Sequence, residues 1–158
     1  DFCALSGMGK AKYCQIQAAI ELGQRSLKEK LSSGDCMDSS STTRNYLISR
    51  LRNYQREVFA CLFLDNQHQV ICYEEIFQGT INAASVHVRE VVKAALKYNA
   101  VAVILAHNHP SGCREPSDSD VAVTQQLKKA LGLVEINVLD HIIVAGSEAI
   151  SLAEIGAM

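Results

Sequence analysis

His107-Asn108-His109-Pro110-Ser111-Gly112-Cys113-Arg114-Glu115-Pro116-Ser117-Asp118-Ser119-Asp120 is the stretch on which the reading of this chain turns. It follows an apolar run, Val101 to Ala106, with the character of a buried strand. It leads into a helix opened by Ser117 and carried to about Leu131 by Val123, Leu127, Ala130 and Leu131. Side chains alternate along a strand, so histidines at i and i+2 on a strand end project the same way. An aspartate in the first turn of the next helix can close on them, and Pro110, Gly112 and Pro116 shape the loop between. His107, His109 and Asp120 then form a set of three protein ligands with one position open. That is the arrangement of catalytic zinc, one ion per chain, whereas structural zinc is usually closed by four ligands. Zinc so held brings water to a pKa of about 7. A carboxylate that is not a ligand must then take the proton, and a donor must face the developing oxyanion.

Outward from this stretch, strand and helix patterns are mixed without strict alternation, which predicts an α/β (α+β) fold built on one mixed sheet. Glu57 to Leu64 is apolar on both faces, as a central strand is. Asp65-Asn66-Gln67 reads as a turn, His68 to Gln78 as the next strand, and Thr80 to Val86 as a short one. Val88, Val91, Val92, Ala95 and Leu96 follow helical spacing. Val134 to Val144 reads as a long strand and Ile150 to Leu152 as a last short one. Upstream, Ser41 or Thr42 caps a helix to about Leu51, with Tyr46, Leu47, Ile48 and Leu51 apolar. Before it, residues 10–31 predict an amphipathic helix with Ile16, Ile20, Gly23, Leu27 and Leu31 near one face. A glycine turn, Ser6 to Lys10, precedes that helix, and a polar linker, Ser32 to Ser40, follows it. The division falls between a helical segment with linker, 1–38, and a domain, 39–158.

Composition narrows the classes. The chain has 158 residues, 48% hydrophobic and 20% charged, enough for a globular core and too apolar for disorder. No apolar run reaches the roughly 18 residues of a membrane span, and the first residues do not have the pattern of a secretory signal. Net charge is -2, which excludes a generally basic nucleic-acid binder. Residues 1–31 hold five Lys/Arg against three Asp/Glu, so nucleic-acid contact is expected only there. Cys3, Cys14, Cys36, Cys61, Cys72 and Cys113 form no C-x-x-C pair and read as reduced thiols of a cytoplasmic protein.

The spacing at His107, His109, Ser117 and Asp120 resembles the JAMM (MPN+) metalloprotease signature. The fuller text His107 to Gly112, with Pro116-Ser117 and Asp120, is similar to the RadC branch of that family. Leu64-Asp65, Phe77-Gln78-Gly79-Thr80, Arg89-Glu90, Asn99-Ala100 and Leu139-Asp140-His141-Ile142-Ile143-Val144 carry the resemblance over about residues 41–158. It implies a curved mixed sheet between helices, and zinc on His107, His109 and Asp120. It also implies Ser117 as oxyanion donor and an upstream glutamate as base, a position that Glu57 matches. The implied chemistry is hydrolysis of a peptide or isopeptide bond, and the family's historical name ties it to DNA repair. Residues 5–31 resemble the end of the helical region that accompanies this branch. Leu5, Gly7, Met8 and Gly9 with Lys10 and Lys12 are similar to a helix-hairpin-helix turn lacking its preceding helix, which implies weak DNA contact at most.

Plainer readings stand beside these. Ser117 serves equally as a helix N-cap. Glu74 and Glu75 are the substitutes for Glu57, and Lys10 and Lys12 suit a solvated helix face. Cys113 reads as an exposed loop thiol rather than a further ligand, and His141 as a supporting or packing residue rather than a ligand. The rival functions are a DNA-associated accessory protein with a structural or vestigial metal site, and a small-molecule hydrolase on the same centre.

Overall fold

Val58–Leu64, buried at every position, form strand β1 at the interior of the sheet. The computed structural model describes residues 2–32, 39–79 and 86–158. After a short 3-10 helix, Phe2–Ala4, come α1 (Lys10–Ser32), α2 (Ser39–Leu51), β1, β2 (Val70–Gln78), α3 (Val88–Lys97), β3 (Ala102–Asn108), α4 (Asp118–Gly132), β4 (Asn137–Ala145) and β5 (Glu148–Ser151). The strands make one mixed sheet in the order β2-β1-β3-β4-β5, flanked by the helices. β1 pairs antiparallel with β2 and β3, and β4 antiparallel with β5. β3 and β4 run parallel, joined by a crossover through α4.

The pleat divides the core. Phe59, Cys61, Phe63, Val103 and Leu105 face α3 and α4, against Val91, Ala94, Ala95, Val123, Leu127 and Leu131. Val58, Ala60, Leu62, Leu64, Ala102, Ala106, Ile142 and Val144 face α2, against Tyr46, Leu47 and Leu51. Alternation along β1 therefore supplies both faces, which is why none of its residues could be polar. The C-terminal turn is tied down by Asp140, which accepts from His141 N at 2.7 Å, Ser151 Oγ at 2.6 Å and Ala153 N at 3.1 Å.

Several boundaries differ from the sequence expectation. β3 runs through His107 and Asn108 rather than stopping at Ala106. β4 begins at Asn137 rather than Val134, because the chain turns after α4 and Glu135 takes a left-handed φ of 60° that no strand accommodates. α2 starts at Ser39, before the expected cap. Most of the expected strand at Thr80 to Val86 and most of the linker, with Cys36, lie outside the described residues. None of the described cysteines is in a disulfide. Among the described residues no helix is long and apolar enough to cross a membrane.

The expected apolar face of α1 is only partly used. Leu27 packs against the α2 side of the core, and Gln24 Nε2 donates to Ser49 O at 3.0 Å. Ile16 and Ile20 remain 42% and 47% exposed. α1 has 23 residues and α2 only 13, so its neighbour cannot cover its whole length. Leu27→Ala is therefore expected to destabilise the protein by about 1–2 kcal/mol, below the cost at a fully buried leucine. Ile16→Ala should change stability by less than about 0.5 kcal/mol. Chemical denaturation of the two variants checks the difference, and equal effects would contradict it.

Candidate metal centre

Two elements meet at the carboxyl end of β3. His107 is its penultimate residue, His109 follows its end, and Asp120 lies in the first turn of α4. Because β3 and β4 are parallel, the connection after β3 returns as a helix whose N-terminus faces the strand end. His107 and Asp120 are buried, at 1% and 2% exposure, and His109 is half-buried. Nε2 of His107 lies 3.0 Å from Nε2 of His109 and 3.1 Å from Asp120 Oδ1, while His109 Nε2 lies 3.4 Å from Asp120 Oδ2. Tetrahedral ligands at zinc bond lengths of 2.0–2.1 Å sit about 3.3 Å apart, so these separations fit a zinc-sized cation. Among the described residues these three are the cluster that can hold a metal ion.

The protons are arranged for that purpose at His109. Its Nδ1–H donates to the Cys113 carbonyl at 2.8 Å, which leaves Nε2 as the nitrogen able to bind a cation. Cys113 thus serves through its carbonyl, and its exposed thiol does not belong to the cluster. Behind His107, Nδ1 lies 2.8 Å from Nε2 of His141, a wholly buried residue. Phe59 walls off both rings, nearly parallel to His107 at 14° and edge-on to His141.

The electrostatics follow the same geometry. Burial raises the Asp120 carboxyl, but hydrogen bonding from His107, His109 and Ser117 outweighs it and holds the group well below the usual carboxylate range. The hydrogen bond to Asp120 raises His109 above the usual imidazole value against the opposing effect of burial, with help from the Cys113 carbonyl and the charges of Asp120 and Glu57. Burial, then the neighbouring His107, pushes His141 well below that value, so it is neutral.

Ser117 is the N-cap of α4. Its Oγ accepts from Asp120 N at 3.2 Å, and its own N donates back to Asp120 Oδ2 at 2.7 Å, a capping box closed by aspartate. Its hydroxyl also donates to Asp120 Oδ2 at 2.7 Å. The capping role anticipated for Ser117 is present, and it orients a candidate ligand.

Glu57 immediately precedes β1. Phe59 is paired with His107 in the antiparallel register. Glu57 and His109 lie just past the paired ends of β1 and β3, and the Glu57 charge acts on His109. Glu75 is held on the α2 side by the hydroxyls of Tyr54 and Tyr73, and Glu74 pairs with Cys61, deeper in the sheet. Lys10 and Lys12 are exposed in the first turn of α1 and are not part of this centre.

Asn108 is the residue whose importance the sequence reading missed. Between the two histidines, it turns to the other face and is buried at 2% exposure. Its Oδ1 accepts from Val58 N at 2.8 Å, and its Nδ2 donates to Arg56 O at 3.0 Å and Tyr54 O at 3.3 Å. These bonds clamp the segment that carries Glu57. The available signal was strand alternation, which makes the middle residue of His-x-His face away from the ligands.

The fold and the centre define a mixed α+β domain with a candidate mononuclear metal site at a strand end. Comparison with known families is consistent with that class. A model described as the RadC-like JAB domain matches residues 37–157, and the chain belongs to that family. It is 57% identical over 157 residues to a UPF0758 protein of Nitrosococcus oceani, covering 99% of this chain and 70% of that protein. A UPF0758 protein of Thioalkalivibrio sulfidiphilus is likewise 57% identical, with the same coverage of both chains. One from Vibrio atlanticus is 58% identical over 156 residues, again covering 99% of this chain and 70% of the relative.

Two outcomes are expected from this geometry. Asn108→Ala should cost about 2–4 kcal/mol, since it removes three hydrogen bonds of a buried side chain, worth about 0.5–1.5 kcal/mol each. Denaturation of the metal-free protein measures it, and a loss under about 0.5 kcal/mol would deny the clamp. Cys113→Ser should leave zinc content unchanged, because the carbonyl survives the substitution. Elemental analysis showing zinc lost with the thiol would make Cys113 a ligand.

Proposed function

We propose that this domain is a zinc-dependent hydrolase of amide bonds, a metallopeptidase or isopeptidase. The observation that carries the reading is the His107, His109 and Asp120 set with a further carboxylate, Glu57, just before β1 and close enough for its charge to act on His109. Bound zinc would supply Lewis acidity, acidifying water and polarising the scissile carbonyl. Glu57 would accept the proton from the attacking water on its carboxylate and return it to the departing amine. Ser117 stands exposed at the N-terminus of α4, where the helix dipole favours negative charge. Its hydroxyl would turn from Asp120 Oδ2 to the developing oxyanion.

The surroundings favour an extended substrate. An open groove beside His109 is lined by Arg52, Tyr54, Gln55, Pro110, Ser111 and Gly146. An open depression suits a chain lying across the surface better than a small amide, which calls for an enclosed pocket. Three ligands with an open position, together with the carboxylate whose charge acts on His109, disfavour a purely structural metal. The accessory DNA-binding alternative draws on the exposed Lys10 and Lys12 alone. A reduced, cytoplasmic setting suits the unpaired thiol of Cys113.

Purified protein is expected to hold about one zinc per chain and to lose it in His107→Ala or Asp120→Ala. Glu57→Gln should fold and keep the metal while hydrolysis of a peptide and isopeptide library drops by roughly 10²–10⁴-fold. Loss of zinc in this variant would make Glu57 a ligand. Full activity would place the base elsewhere.

A further inference from the structure

Thr124 lies one helical turn beyond Asp120 on α4 and is fully buried. Its Oγ1 is 2.5 Å from the Asp120 carbonyl oxygen and 2.6 Å from Nδ1 of His141. A hydroxyl has one proton, and a carbonyl oxygen can only accept, so that proton points to Asp120 O. The Thr124 oxygen must then accept from His141 Nδ1, and a ring wholly buried between a hydroxyl and an imidazole carries that one proton alone. His141 Nε2 is left as a lone pair and faces His107 Nδ1 at 2.8 Å, so His107 donates through Nδ1. With a hydrogen committed at Nδ1, Nε2 is the His107 nitrogen that can give its lone pair to a cation, and it is the one that faces Asp120 and His109.

We propose that Thr124 and His141 are positioning residues that direct protons away from the metal-facing nitrogen of His107. The orientation originates at a backbone carbonyl of α4 and passes through Thr124 and His141. Were every bond in the chain reversed, His107 Nε2 would carry hydrogen and be closed to a cation, and the Asp120 carbonyl would face the hydroxyl's lone pairs at 2.5 Å. The carbonyl makes the two directions unequal. Its residue, Asp120, is the one whose side chain joins His107 in the cluster, so one turn of α4 provides both a ligand and the proton order behind another. The inference rests on the metal-centre reading for its purpose, but the proton placement can be read without metal.

Long-range ¹⁵N–¹H correlation spectra of the imidazoles in the metal-free and zinc-loaded protein test the placement. His141 and His107 are expected to be protonated at Nδ1. A proton on Nε2 of His141 in the wild-type protein would overturn the proposal, whatever the variants do. Zinc affinity, measured by chelator competition, tests the consequence. Thr124→Val removes the hydroxyl at nearly constant shape and should weaken binding about 10–100-fold, the usual cost of losing a group that orients a ligand. Thr124→Ser keeps the hydroxyl and should restore binding to near the wild-type value. A folded Thr124→Val protein with unchanged affinity, or a Ser variant as weak as Val, would also overturn it. If the wild-type protein takes up no zinc, the metal-centre reading falls, and the spectra still decide the proton order.

Discussion

Asn108 accepts from the backbone of Val58 and donates to the carbonyls of Arg56 and Tyr54, and the candidate centre depends on that clamp. Strand alternation sends the two neighbouring histidines to one face of the sheet and the asparagine to the other. One strand end therefore does two jobs. On one face it presents imidazole nitrogens, and on the other it fixes the approach to β1 where Glu57 stands. A neutral amide suits the position because, itself buried, it accepts from one backbone group and donates to two others. Aspartate, nearly the same size, would lack the donors.

The aspartate of the centre shows how the fold offsets an unfavourable burial. Isolating a carboxylate from water costs several kcal/mol unless it is paired and hydrogen-bonded. Asp120 has two imidazoles in contact, and it accepts from the amide and hydroxyl of Ser117. All four partners come from groups that also serve other ends: two metal-facing imidazoles and the two halves of a helix cap. The economy explains why His-x-His and Ser-x-x-Asp occur together, since neither the helix start nor the strand end would satisfy the carboxylate alone.

Much of this was legible before any coordinates. Val58 to Leu64 is apolar at every position, and a strand of that kind must have neighbours on both edges and layers on both faces. The spacing from His107 to Asp120 picked out three residues that the fold brings within ligating distance of one another. What escaped was information held by packing. Nothing local distinguishes Ile16, left exposed, from Leu27, which packs, since both lie on the same helical face and only the length of α2 decides which is covered. Val134 looked like strand because it is β-branched, yet the turn at Glu135 claims it. Thr124 gave no sign at all, being an ordinary β-branched residue within a helix until its hydroxyl is seen against His141. Asp140 and His141 matched a family pattern without a role. In the fold the aspartate ties down the C-terminal turn and the histidine backs His107.

The pairing of β1 with β3 joins parts of the chain far apart in sequence, with Val58 and Asn108 separated by 50 residues. Contacts of that span form late in folding, because the entropy of closing the loop must be met before they stabilise anything. His107 and His109, by contrast, are adjacent in any conformation of the chain. A nascent polypeptide therefore displays two imidazoles well before the segment bearing Glu57 is in place. An ion caught at that stage would be held without its carboxylate neighbours, and only completion of the sheet would bring Glu57 near it. Maturation of the centre is in this sense a clock for the slowest pairing in the domain.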